Sequence, residues 1–461
     1  MNPAAEFLRQ STAKSADLEH RRIIRWNMDN YDAAVLRGKS RFLDWDAARE
    51  RCAAIKQDAI DHLDQYLVEF ESRIVERGGK IFWAENGEEA RQYIAKLATD
   101  RGVKRVVKSK SMVTEEIHLT PALEKLGCEV VETDLGEYIV QLRNEPPYHI
   151  VTPAMHLTRG QIADLFREKL EGVTSDDPVE LVAAARRKLR LAFFAAEMGI
   201  SGANFLVADA GMVAISTNEG NGRLCTTLPK IHVVVTGIEK VVPHLRDLGT
   251  LWPVLATAGT GQPVTTYSTL IGGARREGEV DGPEEFHVVL LDNGRSELLA
   301  DVEQRDALRC IRCGACLNAC PVYRQIGGHT YATTYQGPIG SVLTPHFRGH
   351  EFDHLSYASS LCGSCTSVCP VKIDLHHHLL ENRHASVKAD KRPWSERFAF
   401  RFWRWMMSSH SRFERLGRLG RFKIRVARKL GIDLLSPWTK YRSAPELPKQ
   451  SFREMWRKGN V

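Results

Sequence analysis

The stretch Cys310 to Pro321 reads CIRCGACLNACP. Its cysteines, Cys310, Cys313, Cys316 and Cys320, are spaced C-x2-C-x2-C-x3-C, and Pro321 follows the last. That is the ligand spacing of cubane iron–sulfur sites. Tight turns bring three thiolates onto one cube of iron and sulfide. The next segment carries the fourth away, and proline stops the chain from winding back. Where two clusters share a module, the fourth cysteine of a run ligates the other cluster. A second run is therefore expected. LCGSCTSVCPV supplies it, with Cys362, Cys365 and Cys369 followed by Pro370. Zinc usually takes paired C-x2-4-C hooks, and two runs that each end in C-x3-C-P fit it poorly.

Outward from these runs, 461 residues are enough for two or three domains, and 43% hydrophobic residues allow an ordinary core. Seven of the ten cysteines lie in the runs, and Cys52, Cys128 and Cys225 are scattered. A disulfide framework is not expected. The first twenty residues hold no apolar h-region, and no apolar run approaches the ~18 residues of a membrane span. The expectation is a cytoplasmic protein. The net charge of +7 hides an asymmetry: from Lys391 onward there are 19 Lys and Arg against 5 Asp and Glu, and 45 against 52 elsewhere. An acidic body carries a basic tail.

Four segments follow. Residues 1–75 read as a polar helical arm, with apolar residues at helical spacing in RRIIRWNMDNYDAAVLRGKSRF and beyond. Residues 76–300 alternate short β-branched runs with amphipathic helices. KIFWA, VKRVVKS, CEVVETDL, NFLVADAGMVAIS, KIHVVVTGI, PVLATAG and FHVVLLD read as strands, and the chain from Val179 to Gly199 as a long helix. This predicts an α/β domain with a mainly parallel sheet. Residues 301–390 hold the cysteine runs, whose flanks are helix-compatible. Residues 391–461 are the basic tail, with Trp394, Trp403, Trp405, Trp438 and Trp456. Its mixture of Arg, Lys and aromatics suits docking on an acidic partner, on its own acidic body, or on the inner membrane face.

Ligands of parallel sheets usually sit at the carboxyl ends of strands, and three stretches are placed for that. Lys108-Ser109-Lys110-Ser111 follows a strand; it could hold an anion, although a solvated helix cap is the plainer reading. Ser216 to Arg223 alternates glycine with polar residues and could equally be a hairpin turn. Ala256 to Tyr267, ATAGTGQPVTTY, is read as a small-residue loop. Lys108, Lys110 and Asn221 are candidates for an anion or substrate site. Arg223 is the candidate carboxylate anchor and Glu219 the candidate base. No complete dinucleotide or P-loop fingerprint occurs. His376, His377 and His378 follow the second run; consecutive histidines on a helix diverge, so a surface reading is preferred to a shared metal.

The stretches KSKSMVTEEIHL, ADAGMVAISTNEGNGR and LCGSCTSVCPVKIDL together resemble the iron–sulfur B component of the three-part bacterial lactate-utilisation system, over roughly residues 60 to 440. The resemblance implies a LUD domain, similar to the sheet of sugar-phosphate isomerases and CoA transferases, followed by a mostly helical ferredoxin-type module. It implies two [4Fe-4S] clusters, one on Cys310, Cys313, Cys316 and Cys369, the other on Cys320, Cys362 and Cys365. It further implies electron relay while L-lactate becomes pyruvate, with a CCG-repeat protein and a smaller LUD-only protein as partners. Lactate oxidation moves two electrons and each cluster normally carries one, so an electron-transfer subunit is the expectation. The alternatives are a nucleic-acid protein with structural clusters, and an isomerase or acyl transferase using Glu219, suggested by fold analogy alone. Nucleic acid is not expected as a partner.

The second ligand set is one short. Counting back from Cys362, the missing first cysteine falls on Ser359. Ser359 could ligate through oxygen, a harder donor than thiolate. One iron could keep an open corner, or be absent and leave a [3Fe-4S] cluster. The sequence reading favours the open or labile corner.

Overall fold

The computed structural model describes residues 2–389, 394–434, 439, 443 and 446–459. Among these, ten strands follow in chain order: β1 Lys80–Ala84, β2 Arg105–Lys108, β3 Glu129–Glu132, β4 Met198–Ser201, β5 Phe205–Val207, β6 Met212–Thr217, β7 Ile231–Gly237, β8 Val241–Val242, β9 Tyr267–Ile271 and β10 Glu285–Leu291. Six form one sheet in the order β1-β10-β7-β4-β2-β3, with every pairing parallel. All seven residues of β7 are buried, as expected of a central strand covered on both faces. Because the strands are parallel, β2, β4 and β7 open their carboxyl ends on the same edge.

Three parts differ from the sequence reading. PVLATAG is not a strand: it lies in the helix Leu248–Thr260, with Pro253 inside it. Leu248, Leu251, Val254, Leu255 and Ala258 are all buried, and burial around so much of a helix hides its periodicity. The long helix stops at Ala195, and MGIS after it forms β4 in the sheet. NFLVADAGMVAIS folds back as the hairpin β5–β6 of a second sheet, β8-β5-β6-β9, which includes the end of the supposed small-residue loop.

The chain forms two compact units, Met1–Ser386 and Val387–Val461. In the first, the amino-terminal arm is part of the core. Ile24, Met28, Cys52 and Ile60 share one apolar cluster with Leu251 and Val254 and with Cys313, Cys316, Cys320, Cys365 and Cys369. Each fully buried aliphatic of this kind is worth roughly 1.5–3 kcal/mol. The helix Leu18–Lys39 packs on Leu248–Thr260, and Trp45–Asp61 on the turn Arg305–Arg309. The arm therefore fastens the parallel sheet's surroundings to the cysteine runs.

The second unit, taken by itself, has the helices Trp394–Met407, His410–Lys429 and Phe452–Arg457. Glu414 binds Arg457 at 2.8 Å and Glu454 binds Arg421 at 3.1 Å. Phe398, Phe400, Phe402, Trp403 and Trp405 are exposed. Lys391 and Trp438 lie outside the described residues. No helix among the described residues is long and apolar enough to cross a membrane.

Candidate functional site

The flanks of the cysteine runs are less helical than their composition suggests. Arg312 and Leu361 take φ of 59° and 53°. Gly314 and Gly363 both take φ of 78°. These left-handed positions break the chain, so only the short helices Ala315–Ala319 and Ser364–Val368 form, packed on each other. Both runs thus fold alike, as equal spacing and equal glycine placement require.

All ten cysteines are free, and of the seven in the runs Cys310 is half-buried, Cys362 exposed and the rest buried. Their mutual effects divide them into two sets. Burial, then the like charge of Cys310, Cys313 and Cys369, pushes the Cys316 thiol well up. Burial, then Cys320 and Cys362, pushes Cys365 to about 11. Backbone N–H groups point at sulfur: Arg312 to Cys310 at 3.4 Å, Tyr323 to Cys320 at 3.5 Å and Ile373 to Cys369 at 3.4 Å. Crowded, buried thiolates are costly when bare, while the amide donors favour sulfur that carries negative charge; the set fits ligation of a cationic iron–sulfide core that is net anionic with its thiolates.

Three buried basic side chains, Lys56, Lys240 and Arg312, couple electrostatically to Cys310. Lys56 donates from Nζ to the carbonyls of Glu239 at 2.6 Å and Val241 at 3.1 Å. Burial, then repulsion from Lys240, lowers Lys56 to about 7; burial, then Arg312, lowers Lys240 to about 8. The Arg312 guanidinium lies over the Tyr335 ring, 4.4 Å from its centroid. Arg295 holds Glu239 at 2.6 Å and Glu116 at 2.8 Å, and the Tyr335 hydroxyl donates to Glu116 at 2.6 Å. None of these residues was flagged by sequence. The one available signal was the position of Glu239 and Lys240 just past β7, at the ligand-binding edge of a parallel sheet.

At that edge lies a cleft of about 750 Å³, a size usual for organic ligands. The three loops singled out by sequence meet there: Ser109, Lys110 and Ser111; Ser216 to Glu219 with Asn221; and Ala256, Gly259, Thr260, Gln262 and Thr265. Lys240, Arg312, Cys313 and Tyr335 complete the wall. The cleft therefore reaches a cysteine of the first run.

The candidate residues separate. Lys110, Glu219 and Asn221 line the cleft. Lys110 donates to the Val151 carbonyl at 2.7 Å, and Asn221 to Thr133 at 3.4 Å. Glu219 accepts from the Leu135 amide at 2.9 Å; loss of water around it, then Asp134, raises its carboxyl to about 7. Lys108 lies outside the lining: it is buried and paired with Glu132 at 2.7 Å and Glu115 at 2.8 Å. Arg223 also falls outside the lining; it is exposed and lies 5.9 Å from the Tyr267 ring centroid. The helix Asn221–Thr227 turns Asn221 inward and Arg223 outward. Arg312, from the cysteine run, is the arginine of this wall. Its Nη1 is buried without a hydrogen-bond partner.

The histidines also depart from expectation. His376 and His377 both turn onto Asp374, with rings stacked at 4.3 Å, and His378 is buried against Asp306.

A parallel α/β sheet whose ligand edge abuts a two-run cysteine module defines a LUD-type iron–sulfur protein. Family models agree segment by segment: the LUD domain over residues 67–291, the 4Fe-4S dicluster domain over 306–373, and the C-terminal region of lactate utilisation protein B over 380–461. Lactate utilization protein B of Bacillus cytotoxicus is 45% identical over 423 residues, covering 90% of this chain and 89% of its own. The Bacillus thuringiensis protein of that name is 44% identical over the same coverage. The chain belongs to the lactate utilization protein B family. A solved DUF162 family protein from Deinococcus radiodurans aligns with 50% of this chain and 98% of its own at 15% identity and a TM-score of 0.29.

Proposed function

We propose that this protein is an iron–sulfur electron-transfer subunit of a system that oxidises L-lactate to pyruvate. The observation that carries the reading is the reach of the cysteine module: Cys313 lines the cleft, while Cys362 is exposed at the surface. Cys310, Cys313, Cys316 and Cys369 would hold one [4Fe-4S] cluster, and Cys320, Cys362 and Cys365 would serve the other. When bound, such clusters supply one-electron transfer. Lys56, Lys240 and Arg312 place positive charge beside Cys310, which favours an anionic centre there.

The cleft is the candidate site for the organic acid. Arg312 and Lys240 are its proposed carboxylate anchors, replacing Arg223 in that role. Glu219, poised near neutrality, is the proposed acceptor of one of the two protons that accompany the two electrons. Lys110 and Asn221 are proposed as polar wall contacts. A CCG-repeat protein and a LUD-only protein are the expected partners, with the basic second unit as the segment that docks.

The test is anaerobic co-purification with those partners, followed by lactate-dependent bleaching of the cluster absorbance. Bleaching that needs lactate and the partners supports the relay. Clusters that never change oxidation state in the complete mixture would point to a structural role.

A further inference from the structure

The two cysteine runs fold alike, yet at one position cysteine is replaced. Ser359 stands to Leu361, Cys362 and Gly363 as Cys310 stands to Arg312, Cys313 and Gly314. The likeness extends to backbone and hydrogen bonding. Gly314 and Gly363 share φ of 78°, with ψ of −4° and −5°. In the first run the Arg312 amide donates to Cys310 Sγ at 3.4 Å; in the second the Leu361 amide donates to Ser359 Oγ at 3.1 Å. The serine oxygen thus takes the place that the first run gives to a ligating sulfur. Both side chains belong to half-buried residues.

Two further observations favour a built position over a remnant loop. Leu361 holds φ of 53°, a conformation that is strained for a residue with a Cβ. Arg383 pins the segment by donating to the Ser359 carbonyl at 2.8 Å and the Ser356 carbonyl at 2.9 Å. The remaining thiols show no charge coupling to the runs, although Cys52 shares their apolar cluster. Cys128 meets the Val103 carbonyl, Cys225 meets Thr133, and the Cys52 thiol feels only burial and Arg51.

We propose that Ser359 Oγ is the fourth protein ligand of the second cluster, beside Cys320, Cys362 and Cys365. The hydroxyl gives its proton to solvent and the oxygen binds the remaining iron. The proposal rests on the two-cluster reading, and it replaces the open corner that the sequence favoured.

The test is anaerobic reconstitution of full-length wild type, Ser359→Ala and Ser359→Cys with ⁵⁷Fe and sulfide, read by Mössbauer and EPR spectroscopy. Wild type should hold about eight irons, one of them distinct from the thiolate-bound set. In Ser359→Cys that iron should join the others. In Ser359→Ala the content should fall to about seven irons, with a [3Fe-4S] signal. A wild-type spectrum without a distinct iron overturns the proposal. So does a distinct iron that persists in Ser359→Ala, since its oxygen is then water. If Ser359→Ala does not fold, EPR of the reduced wild type in H₂¹⁷O decides: no broadening of the second cluster's signal supports serine, and broadening makes the oxygen water and overturns the proposal. Absence of acid-labile sulfide from all three proteins would instead remove the two-cluster reading itself.

Discussion

Arg312 Nη2 lies 3.3 Å from Glu239 Oε1, which ties the first cysteine run to the carboxyl end of β7. Glu239 also accepts from Arg295 at 2.6 Å. One buried carboxylate therefore joins sheet, cysteine module and cleft wall.

Glu239→Gln should destabilise the protein strongly. It leaves the Arg295 and Arg312 charges buried without this partner, a loss of about 3–5 kcal/mol. Burial alone would raise the Glu239 carboxyl, but Arg295 and Arg312 bring it down to about 2. Its contribution should be complete above pH ~4.5 and lost as pH falls toward ~2. Anaerobic thermal denaturation at descending pH should show the gap between wild type and variant closing across that window.

Lys56→Met should lower the reduction potential of one cluster and leave the other nearly unchanged. Lys56 couples electrostatically to Cys310, and below pH ~7, where it is protonated, its positive charge favours the reduced, more anionic state. Spectroelectrochemical titration of both clusters reads this. Equal shifts in both would contradict the placement of Lys56 at the first set alone.

The cleft makes a pH prediction. Glu219 must be deprotonated to accept a proton, so lactate-dependent reduction should rise with pH through about 7. Glu219→Gln should be slow and lose the rise through about 7. Stopped-flow rates from pH 5.5 to 8.5 measure it; an unchanged rise in the variant would assign the titration elsewhere.

Substrate anchoring should follow Lys240 and not Arg223. Lys240→Met removes a charge-assisted contact worth about 1.5–3 kcal/mol, which should weaken lactate binding by about tenfold or more. Arg223→Ala should change it little, since Arg223 lies at the surface. Half-saturation for lactate in the assembled system compares the two.

Truncation after residue 390 should leave iron and sulfide content intact while weakening association with a partner or membrane. The removed residues carry 19 Lys and Arg against 5 Asp and Glu. The association lost should be the salt-sensitive part, since exposed charges are screened over about 8–10 Å at 0.1–0.15 M salt. Co-sedimentation across a salt series tests this. Loss of iron on truncation would instead make the second unit part of the cluster environment.

Much of this was legible in the chain itself. Cysteine spacing is local geometry: the turns at Arg312–Gly314 and Leu361–Gly363 follow from a few φ angles, so seven ligand candidates could be named without a fold. Apolar runs such as IHVVVTG announced buried parallel strands for a similar reason, because burial on both faces leaves no alternation. Lys108–Ser111 follows β2 and so reaches the carboxyl edge of the parallel sheet, whereas the loop after β6 and the stretch from Ala256, largely helix, reach the same cleft from the second sheet and its neighbours. Tertiary structure decided what those local signals could not. PVLATAG became a helix because neighbours bury most of its faces. Lys56 came to the carbonyls of Glu239 and Val241 only because the arm packs into the core. Arg223 turned outward while Arg312 turned into the cleft. Burial and charge proximity arise between residues far apart in sequence, and only the folded chain brings them within a few ångströms.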